Sequence, residues 1–243
     1  MDKSKRPNIV VFDLDETLGY FTEFSVLYDI FIKYGNIQHH QHQYVFNILF
    51  ELYPEYLRPD ILDVLRYLAE HKHNNKCAGV YIYTNNQGPP EWTYFIKTYL
   101  ENKIGYPLFN HIVGAFKIKG RVQEVCRCSH DKTRKDLIRC AKLPINSHIC
   151  FIDNTDYESM HDVFYIKVNT YTYNLSFPIM IKRLLTSNIG KLIHNHNHFI
   201  NYVTRCNPMS LYIFQQKDPE EYELDLIVTK KLMEFLNNFF DEK

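Results

Sequence analysis

Residues 8–17 read NIVVFDLDET, a short apolar run that stops abruptly at acidic side chains. The run is β-branched and apolar from Ile9 to Phe12, which is typical of a buried strand. Four similar apolar runs follow along the chain, at 78–84, 111–116, 148–153 and 163–168. Helical patterns separate most of these runs. The alternation predicts an α/β fold with Rossmann-like topology, in which a mostly parallel five-stranded sheet lies between helices.

The segments outside the predicted sheet have helical patterns. Two such stretches, EFSVLYDIFIKY and HQYVFNILFELY, lie after the first acidic motif, so we expect 19–57 to form a small helical insertion. A cap beside the functional site and a packing extension of the core are equally compatible with this pattern. Residues 170–243 are expected to form a C-terminal helical extension, and 1–243 to form a single domain. Pro59 is placed to open a helix, and Thr133 to cap one.

Composition and charge limit the classes of function. The chain has 243 residues, of which 45% are apolar and 23% charged, and this is a globular composition. Lys plus Arg and Asp plus Glu both number 28, so the net charge of zero argues against general nucleic-acid binding. Six cysteines are too few for a disulfide scaffold. Without a signal peptide or a membrane-length apolar run, we expect a soluble cytoplasmic or nuclear protein with reduced thiols.

Acidic residues follow two of the predicted strands. Asp13 and Asp15 come directly after the first strand, while Asp153 and Asn154 end the fourth. Functional sites of parallel sheets lie beyond the carboxyl ends of the strands, so these side chains are expected to converge. Neighbouring carboxylates repel each other, and a hard cation such as Mg²⁺ relieves that repulsion. This edge of the sheet is therefore a predicted Mg²⁺ site.

Groups that suit an anion are expected at the same edge. Thr84 and Asn85 follow the second strand, where a hydroxyl and an amide can donate hydrogen bonds. Lys132 precedes a predicted helix start, and both its charge and the helix N-terminus attract anions. Metal ligands and anion donors together describe a site that binds a metal and a phosphate.

The order of these motifs resembles that of the haloacid-dehalogenase-like (HAD) phosphohydrolases. The stretches that carry the resemblance are VVFDLDETL (10–18), IYTNN (82–86) and CFIDN (150–154), with a lysine between the last two. DLDETL, RPDILDVL and the IDN ending are particularly similar to the small phosphatases that act on the RNA polymerase II C-terminal domain. TNNQG is similar to polynucleotide 3′-phosphatases, and HAD-like proteins of this kind occur in large DNA viruses. The resemblance implies a HAD core over residues 10–168.

The resemblance implies roles for the acidic residues. Asp13 would be the nucleophile that forms an aspartyl-phosphate, and Asp15 would protonate the leaving oxygen and then activate water. Asp13, the backbone carbonyl of Asp15, and Asp153 or Asn154 would hold Mg²⁺. Many HAD enzymes carry a second acid where this chain has Asn154, but the C-terminal-domain phosphatases share the Asp-Asn pair.

The remaining roles concern the phosphoryl group. Thr84, with Asn85, would bind its oxygens, and Lys132 would neutralise charge in the transition state. Lys135 lies three residues further along and also fits the lysine motif, so both could approach the site from one helix face. We favour Lys132 for the motif, with Lys135 as an additional substrate-binding candidate.

The predicted function is Mg²⁺-dependent phosphomonoester hydrolysis. A phosphorylated substrate is the expected partner, with a phosphoprotein favoured and a nucleic-acid 3′ end or a small metabolite as alternatives. A non-catalytic HAD-like module that binds a phosphoprotein is the alternative from another class.

Two further patterns invite a metal hypothesis. Cys126, Cys128 and His130 could supply three zinc ligands, but C-x-C-x-H is not a common zinc spacing, and reduced cysteines are the preferred interpretation. His194, His196 and His198 alternate as on one side of a strand, and a solvated strand edge is the preferred interpretation there.

Overall fold

The computed structural model describes residues 6–206 and 217–242. The chain divides into two compact units. The first comprises the described residues of Met1–Gly19, Arg58–Tyr171 and Glu223–Lys243, and the second those of Tyr20–Leu57 and Thr172–Tyr222.

Seven strands are found in the described residues, all of them in the first unit. They are β1 (Asn8–Phe12), β2 (Gly79–Tyr83), β3 (Phe109–Val113), β4 (Lys117–Ile118), β5 (Arg121–Val122), β6 (His148–Asp153) and β7 (Phe164–Lys167). Five form a parallel sheet in the order β3-β2-β1-β6-β7, and β4 and β5 form a separate antiparallel hairpin. The predicted α/β fold with a five-stranded parallel sheet is confirmed.

Eight α-helices accompany these strands in the described residues. They are α1 (Thr22–Tyr34), α2 (His42–Phe50), α3 (Ile61–His73), α4 (Pro90–Ile104), α5 (Arg134–Ala141), α6 (Phe177–Thr186), α7 (His196–Cys206) and α8 (Pro219–Asp241). Within 6–206 and 217–242, none of them combines the length and the apolar character that a membrane crossing requires.

The order of the strands indicates where in the sheet a ligand is expected to bind. Within the sheet, β2 and β3 lie on one side of β1, and β6 and β7, which come later in the chain, lie on the other side of β1. Phe12 pairs with both Ile82 and Ile152, so the three central strands end at the same level. Ligands of doubly wound sheets bind where the strand order reverses, which here is the crevice between the carboxyl ends of β1 and β6.

The core of the first unit forms because the central strands are apolar on both faces. Val10, Val11 and Phe12 are fully buried, and β2 is buried along its whole length. Helix α5 contributes Leu137 to one face of this core, where it joins Phe151 of β6. The sheet edge that carries the polar residues therefore rests on a rigid apolar support.

One of the two predicted helix starts is confirmed, and the other is wrong. Thr133 caps α5 as predicted, because its Oγ1 accepts the N–H of Asp136 at 3.0 Å. Pro59 does not open α3, which begins at Ile61. The reason is that Asp60 has a φ of 56°, a left-handed conformation that a helix cannot include.

The strand predicted around the alternating histidines is wrong. His196 and His198 lie in α7, whose buried residues are Phe199 and Val203, four positions apart. That spacing matches a helical period, so the apolar pattern dominates over the alternation of histidines.

The second unit has an aromatic core. The Phe24 ring lies 5.4 Å from that of Phe46 and 4.7 Å from that of Phe50. The Glu23 carboxylate accepts hydrogen bonds from the Tyr56 hydroxyl at 2.8 Å and from the Leu175 N–H at 3.0 Å. Glu23 thus joins the two parts of the sequence that form this unit. The segments predicted as an insertion and as a C-terminal extension fold together, except that α8 from Glu223 onward belongs to the first unit.

Candidate active site

The site is built around Lys132, at the crevice between β1 and β6. Its ammonium donates one hydrogen bond to Asp13 Oδ1 and another to Asp153 Oδ2, the latter at 2.7 Å. Asp13 directly follows β1, and its N–H extends the sheet ladder by donating to Ile152 O at 2.8 Å. Asp153 is the last residue of β6. Both aspartates are therefore positioned by backbone pairing, and the lysine joins them.

Lys132 is 1% exposed, and its environment keeps it charged. Burial alone would lower the pKa of the ammonium, but the carboxylates of Asp13 and Asp153 outweigh burial and raise it. The rings of Tyr83, Phe151 and Tyr157 surround Nζ at 5.4–5.8 Å from their centroids. The ammonium thus supplies a fixed positive charge beside Asp13.

The two candidates for the lysine motif, Lys132 and Lys135, have different surroundings. Lys132 contacts the carboxylates, whereas Lys135 is exposed and lines a surface cleft with Arg134 and Glu158. Thr133 explains this separation. Its cap starts α5 immediately after Lys132, so Lys135 lies on the first turn of the helix while Lys132 extends into the crevice.

Asp15 has a pKa suited to proton transfer. Burial raises the pKa of this carboxyl to about 6, and the charge of Asp13 adds to the increase. Asn86 Nδ2 donates a hydrogen bond to Asp15 Oδ2 at 2.8 Å. This hydrogen bond and the charge of Lys132 both lower the pKa and so oppose the increase. A carboxyl with this pKa can both give and accept a proton near neutral pH. Asn86 thus orients Asp15. It belongs to the same TNN sequence, residues 84–86, as Thr84.

Thr84 presents a hydroxyl donor. It is 2% exposed, and its Oγ1 accepts the N–H of Asn86 at 2.9 Å. No acceptor for its own hydroxyl hydrogen lies within the described part of the chain, so the hydrogen is available to an anion. Asn85, predicted to bind phosphate with Thr84, directs its side-chain NH₂ to His130 O at 2.9 Å and to the Tyr157 hydroxyl at 3.2 Å.

Arg127 holds the loops that carry Thr84 and Lys132. Its guanidinium donates to the carbonyl oxygens of Thr84 at 3.1 Å, Gly114 at 2.8 Å, His130 at 3.0 Å and Asp131 at 3.3 Å. The side chain is buried over the Tyr83 ring. Sequence reasoning missed this residue, because an arginine in a basic, hairpin-like segment is typical of a solvated loop.

The side-chain amide of Asn154, a predicted metal ligand, forms hydrogen bonds with the turn that follows Asp15. Its Oδ1 accepts the hydroxyl of Thr17 at 3.2 Å, and its Nδ2 donates to Glu16 Oε2 at 3.0 Å. Arg58, 1% exposed, donates to the carbonyls of Thr17 at 2.6 Å and of Glu16 at 2.8 Å. Glu16 has a φ of 63°. Asn154 and Arg58 together stabilise the turn that follows Asp15.

The donor set fits a hard divalent cation. Asp13, Asp15 and Asp153 supply three carboxylates against one ammonium, and burial raises the pKa of Asp153, like that of Asp15, to about 6. Uncompensated negative charge in a buried oxygen-rich site is what Mg²⁺ neutralises. Asp13 and Asp153, the two carboxylates that share Lys132, are the candidate ligands, whereas the Asn154 amide bonds Thr17 and Glu16.

The cysteines correct one expectation and give no zinc site. Cys126 and Cys140 form a disulfide, with their Cα atoms 5.2 Å apart, because α5 brings Cys140 back beside the loop of Cys126. Not all thiols are therefore reduced. Cys128 is an exposed free thiol, and the His130 ring lies against Phe116. Among the residues that the structure describes, one group brings three potential metal-ligating atoms together, and it consists of Glu124, Cys126 and Cys140. The sulfurs of Cys126 and Cys140 are joined in the disulfide, so they are not thiolate ligands.

Comparisons with protein-family models, with the curated proteins and with solved structures found no match. The fold class thus rests on the sheet itself, and the resemblance to HAD-like phosphohydrolases stays a prediction from the sequence motifs.

Proposed function

We propose that this protein hydrolyses phosphomonoesters in a Mg²⁺-dependent reaction that passes through an aspartyl-phosphate on Asp13. One observation carries the proposal. Lys132 hydrogen-bonds both Asp13 and Asp153 at the crevice where the strand order reverses, and Asp15 and Thr84 lie beyond the ends of β1 and β2. This arrangement pairs a nucleophile with a fixed positive charge, an acid–base group and a hydroxyl donor.

The first step transfers the phosphoryl group to the protein. Asp13 Oδ1 is bonded to Lys132, whereas Oδ2 has no hydrogen bond to any residue whose position is described and is the oxygen that attacks phosphorus. As the new P–O bond forms, the bond to the leaving oxygen breaks, and Asp15 gives its proton to that oxygen. Thr84 and Lys132 stabilise the charge on the phosphoryl oxygens.

The second step restores the protein. Asp15, now a carboxylate, takes a proton from a water molecule that attacks phosphorus, and the bond between phosphorus and Asp13 breaks. Orthophosphate leaves and Asp15 is protonated again. Asn86 keeps the Asp15 carboxyl oriented through both steps.

Asp13 and Asp153, with the backbone carbonyl of Asp15, would hold the cation. When bound, Mg²⁺ supplies charge neutralisation that lets a phosphate dianion approach the carboxylates. The residues themselves provide the oxygen donors and the fixed geometry.

Hydrolysis of a generic aryl phosphate with Mg²⁺ tests the proposal. The wild-type protein is expected to hydrolyse it, and Asp13→Asn to lose at least about 1000-fold in rate, because the amide cannot serve as the nucleophile. Asp63→Asn, an exposed position on α3, is the matched control and should retain wild-type activity. A panel of phosphopeptides, 3′-phosphorylated oligonucleotides and small esters then defines the substrate. Equal, negligible rates for wild type and Asp13→Asn on every member would overturn the proposal and favour a binding module.

A further inference from the structure

Tyr157 is a residue that the sequence motifs do not include, yet its ring lies beside Lys132. It is half-buried and precedes the short 3-10 turn Glu158–Met160 that follows β6. Its hydroxyl oxygen accepts a hydrogen bond from Asn85 Nδ2 at 3.2 Å. Asn85 directly follows Thr84, the hydroxyl donor described above. The phenol is therefore fixed beside the loop that carries Thr84.

The hydrogens of Asn85 are fully used. Its NH₂ group has two hydrogens, and these go to His130 O at 2.9 Å and to the Tyr157 hydroxyl. Its remaining polar atom, Oδ1, is buried and accepts no hydrogen bond from the described residues. A carbonyl oxygen repels a phosphoryl oxygen, so the Asn85 side chain does not suit the phosphate-binding role predicted for it.

The hydrogen of Tyr157 is not used. The phenol oxygen accepts from Asn85, and no acceptor for its own hydrogen lies in 6–206 or 217–242. Because the accepted bond fixes the oxygen, the free hydrogen is restricted to a small range of directions. Burial also raises the pKa of Tyr157, so the phenol remains a donor at neutral pH.

Lys132 places this donor in the same electrostatic environment as the nucleophile. Its ammonium lies 5.4 Å from the centroid of the Tyr157 ring and is bonded to Asp13 and Asp153. An anion drawn to Lys132 thus approaches the phenol as well.

We propose that the Tyr157 hydroxyl donates a hydrogen bond to a non-bridging oxygen of the substrate phosphoryl group. Asn85 acts as a positioning residue that orients the phenol. This inference rests on the proposed phosphatase function and adds a binding residue to it.

The test compares Tyr157→Phe with wild type, using inorganic phosphate with Mg²⁺ as the probe and aryl phosphate hydrolysis as the activity. Phenylalanine keeps the ring beside Lys132 and removes only the hydroxyl. A hydrogen bond to a charged oxygen is expected to be lost, so phosphate inhibition should weaken about 10-fold and kcat/KM should fall about 10- to 100-fold. Tyr67→Phe is the matched control; the Tyr67 hydroxyl bonds Asn237 at 2.7 Å, and its removal should change neither value.

A double-mutant cycle separates positioning from direct contact. Asn85→Ala should weaken phosphate inhibition in the wild-type background and have little further effect in Tyr157→Phe, because Asn85 acts through the phenol. Melting temperatures of all variants verify that they fold.

The possible failures are distinguishable. If wild type hydrolyses the ester and Tyr157→Phe has unchanged phosphate inhibition and kcat/KM, the role of Tyr157 is wrong and the phosphatase function stands. If Asn85→Ala has its full effect in Tyr157→Phe, Asn85 contacts the phosphate itself and the positioning role is wrong. If wild type neither hydrolyses the ester nor binds phosphate, both proposals fall.

Discussion

Lys132 Nζ lies 2.7 Å from Asp153 Oδ2, and each side chain is 1% exposed. A buried ion pair of this kind is a weak source of net stability, because desolvation of two charges offsets their attraction. Here the same ammonium also bonds Asp13, so one cation is shared by two carboxylates. The arrangement orients Asp13 beside a fixed positive charge, as the proposed nucleophilic role requires.

Replacement of Lys132 tests this role. In Lys132→Met, two buried carboxylates lose their cation, so the free energy of unfolding should fall by about 3–5 kcal/mol. Hydrolysis should fall by about 100-fold or more, as expected for the loss of a charge that stabilises the transition state. Lys135→Met is the matched control and should stay within about twofold of wild type. Chemical denaturation and steady-state kinetics measure both effects, and the reverse pattern would assign the lysine motif to Lys135.

The role of Asp15 predicts a dependence on the leaving group. Asp15→Asn cannot protonate the leaving oxygen, and the loss matters most when that oxygen is a poor leaving group. We expect phosphoryl transfer from an alkyl phosphate to fall by about 100-fold or more, and from a nitrophenyl phosphate by clearly less. Single-turnover rates for the two esters provide the measurement. Equal losses would mean that Asp15 is not the general acid.

The raised pKa of Asp15 also sets a pH dependence. Since burial raises this pKa to about 6, the protonated form declines as the pH rises above that value. The single-turnover rate with the alkyl ester should therefore fall above about pH 6, whereas Asp15→Asn should lack this limb. A wild-type rate that increases across the same range would contradict the assignment.

Stability should respond to pH and Mg²⁺ together. The folded-state pKa values of Asp15 and Asp153 are raised above the ordinary value of 3.8, so their contribution to stability is greatest at low pH and is lost as the pH rises through about 6. Mg²⁺ binds the ionised carboxylates and should increase the melting temperature more at about pH 7.5 than at about pH 5. Removal of the ion with a chelator should reverse the increase. Asp153→Asn should reduce the response to Mg²⁺, and an unchanged response would exclude Asp153 as a ligand.

The disulfide between Cys126 and Cys140 makes a separate prediction. It closes a loop with a sequence separation of 14, which should contribute about 3 kcal/mol to the free energy of unfolding. Alkylation of the unfolded, unreduced protein should label the four cysteines that are free in the structure, which are Cys77, Cys128, Cys150 and Cys206. Reduction should lower the melting temperature, and a Cys206→Ser control should leave it unchanged. Labelling of all six cysteines would show that the bond is absent.

The sheet was predictable from the sequence because its strands are apolar runs that end at polar residues. Residues 148–153 match β6 at both ends, since an apolar strand buried on both faces leaves little ambiguity. The start of α3 was not predictable, because the left-handed conformation of Asp60 depends on its surroundings. The alternation of histidines suggested a strand, but the packing of Phe199 and Val203 in α7 follows a helical period instead.

For the candidate site, the sequence predicts the residues at the strand ends but not the loop residues that contact them. Asp13 and Thr84 follow strands and Asp153 ends one, so topology alone brings them to one edge. Arg127 bonds loop carbonyls and Tyr157 accepts a hydrogen bond from Asn85, and such contacts between distant loops leave no spacing in the sequence. The same holds for Asn154, whose bonds to Thr17 and Glu16 depend on how two loops meet.

The most direct test of the central claim is to trap the phosphorylated protein. Asp15→Asn, incubated with Mg²⁺ and an aryl phosphate that leaves readily, should accumulate phosphoenzyme because water activation is removed. After acid quench, peptide mapping by mass spectrometry should find one phosphoryl group on Asp13, labile to hydroxylamine, and none in the variant that also carries Asp13→Asn. A phosphoryl group on another residue would contradict the account, as would release of the aryl alcohol with no phosphoenzyme at any time.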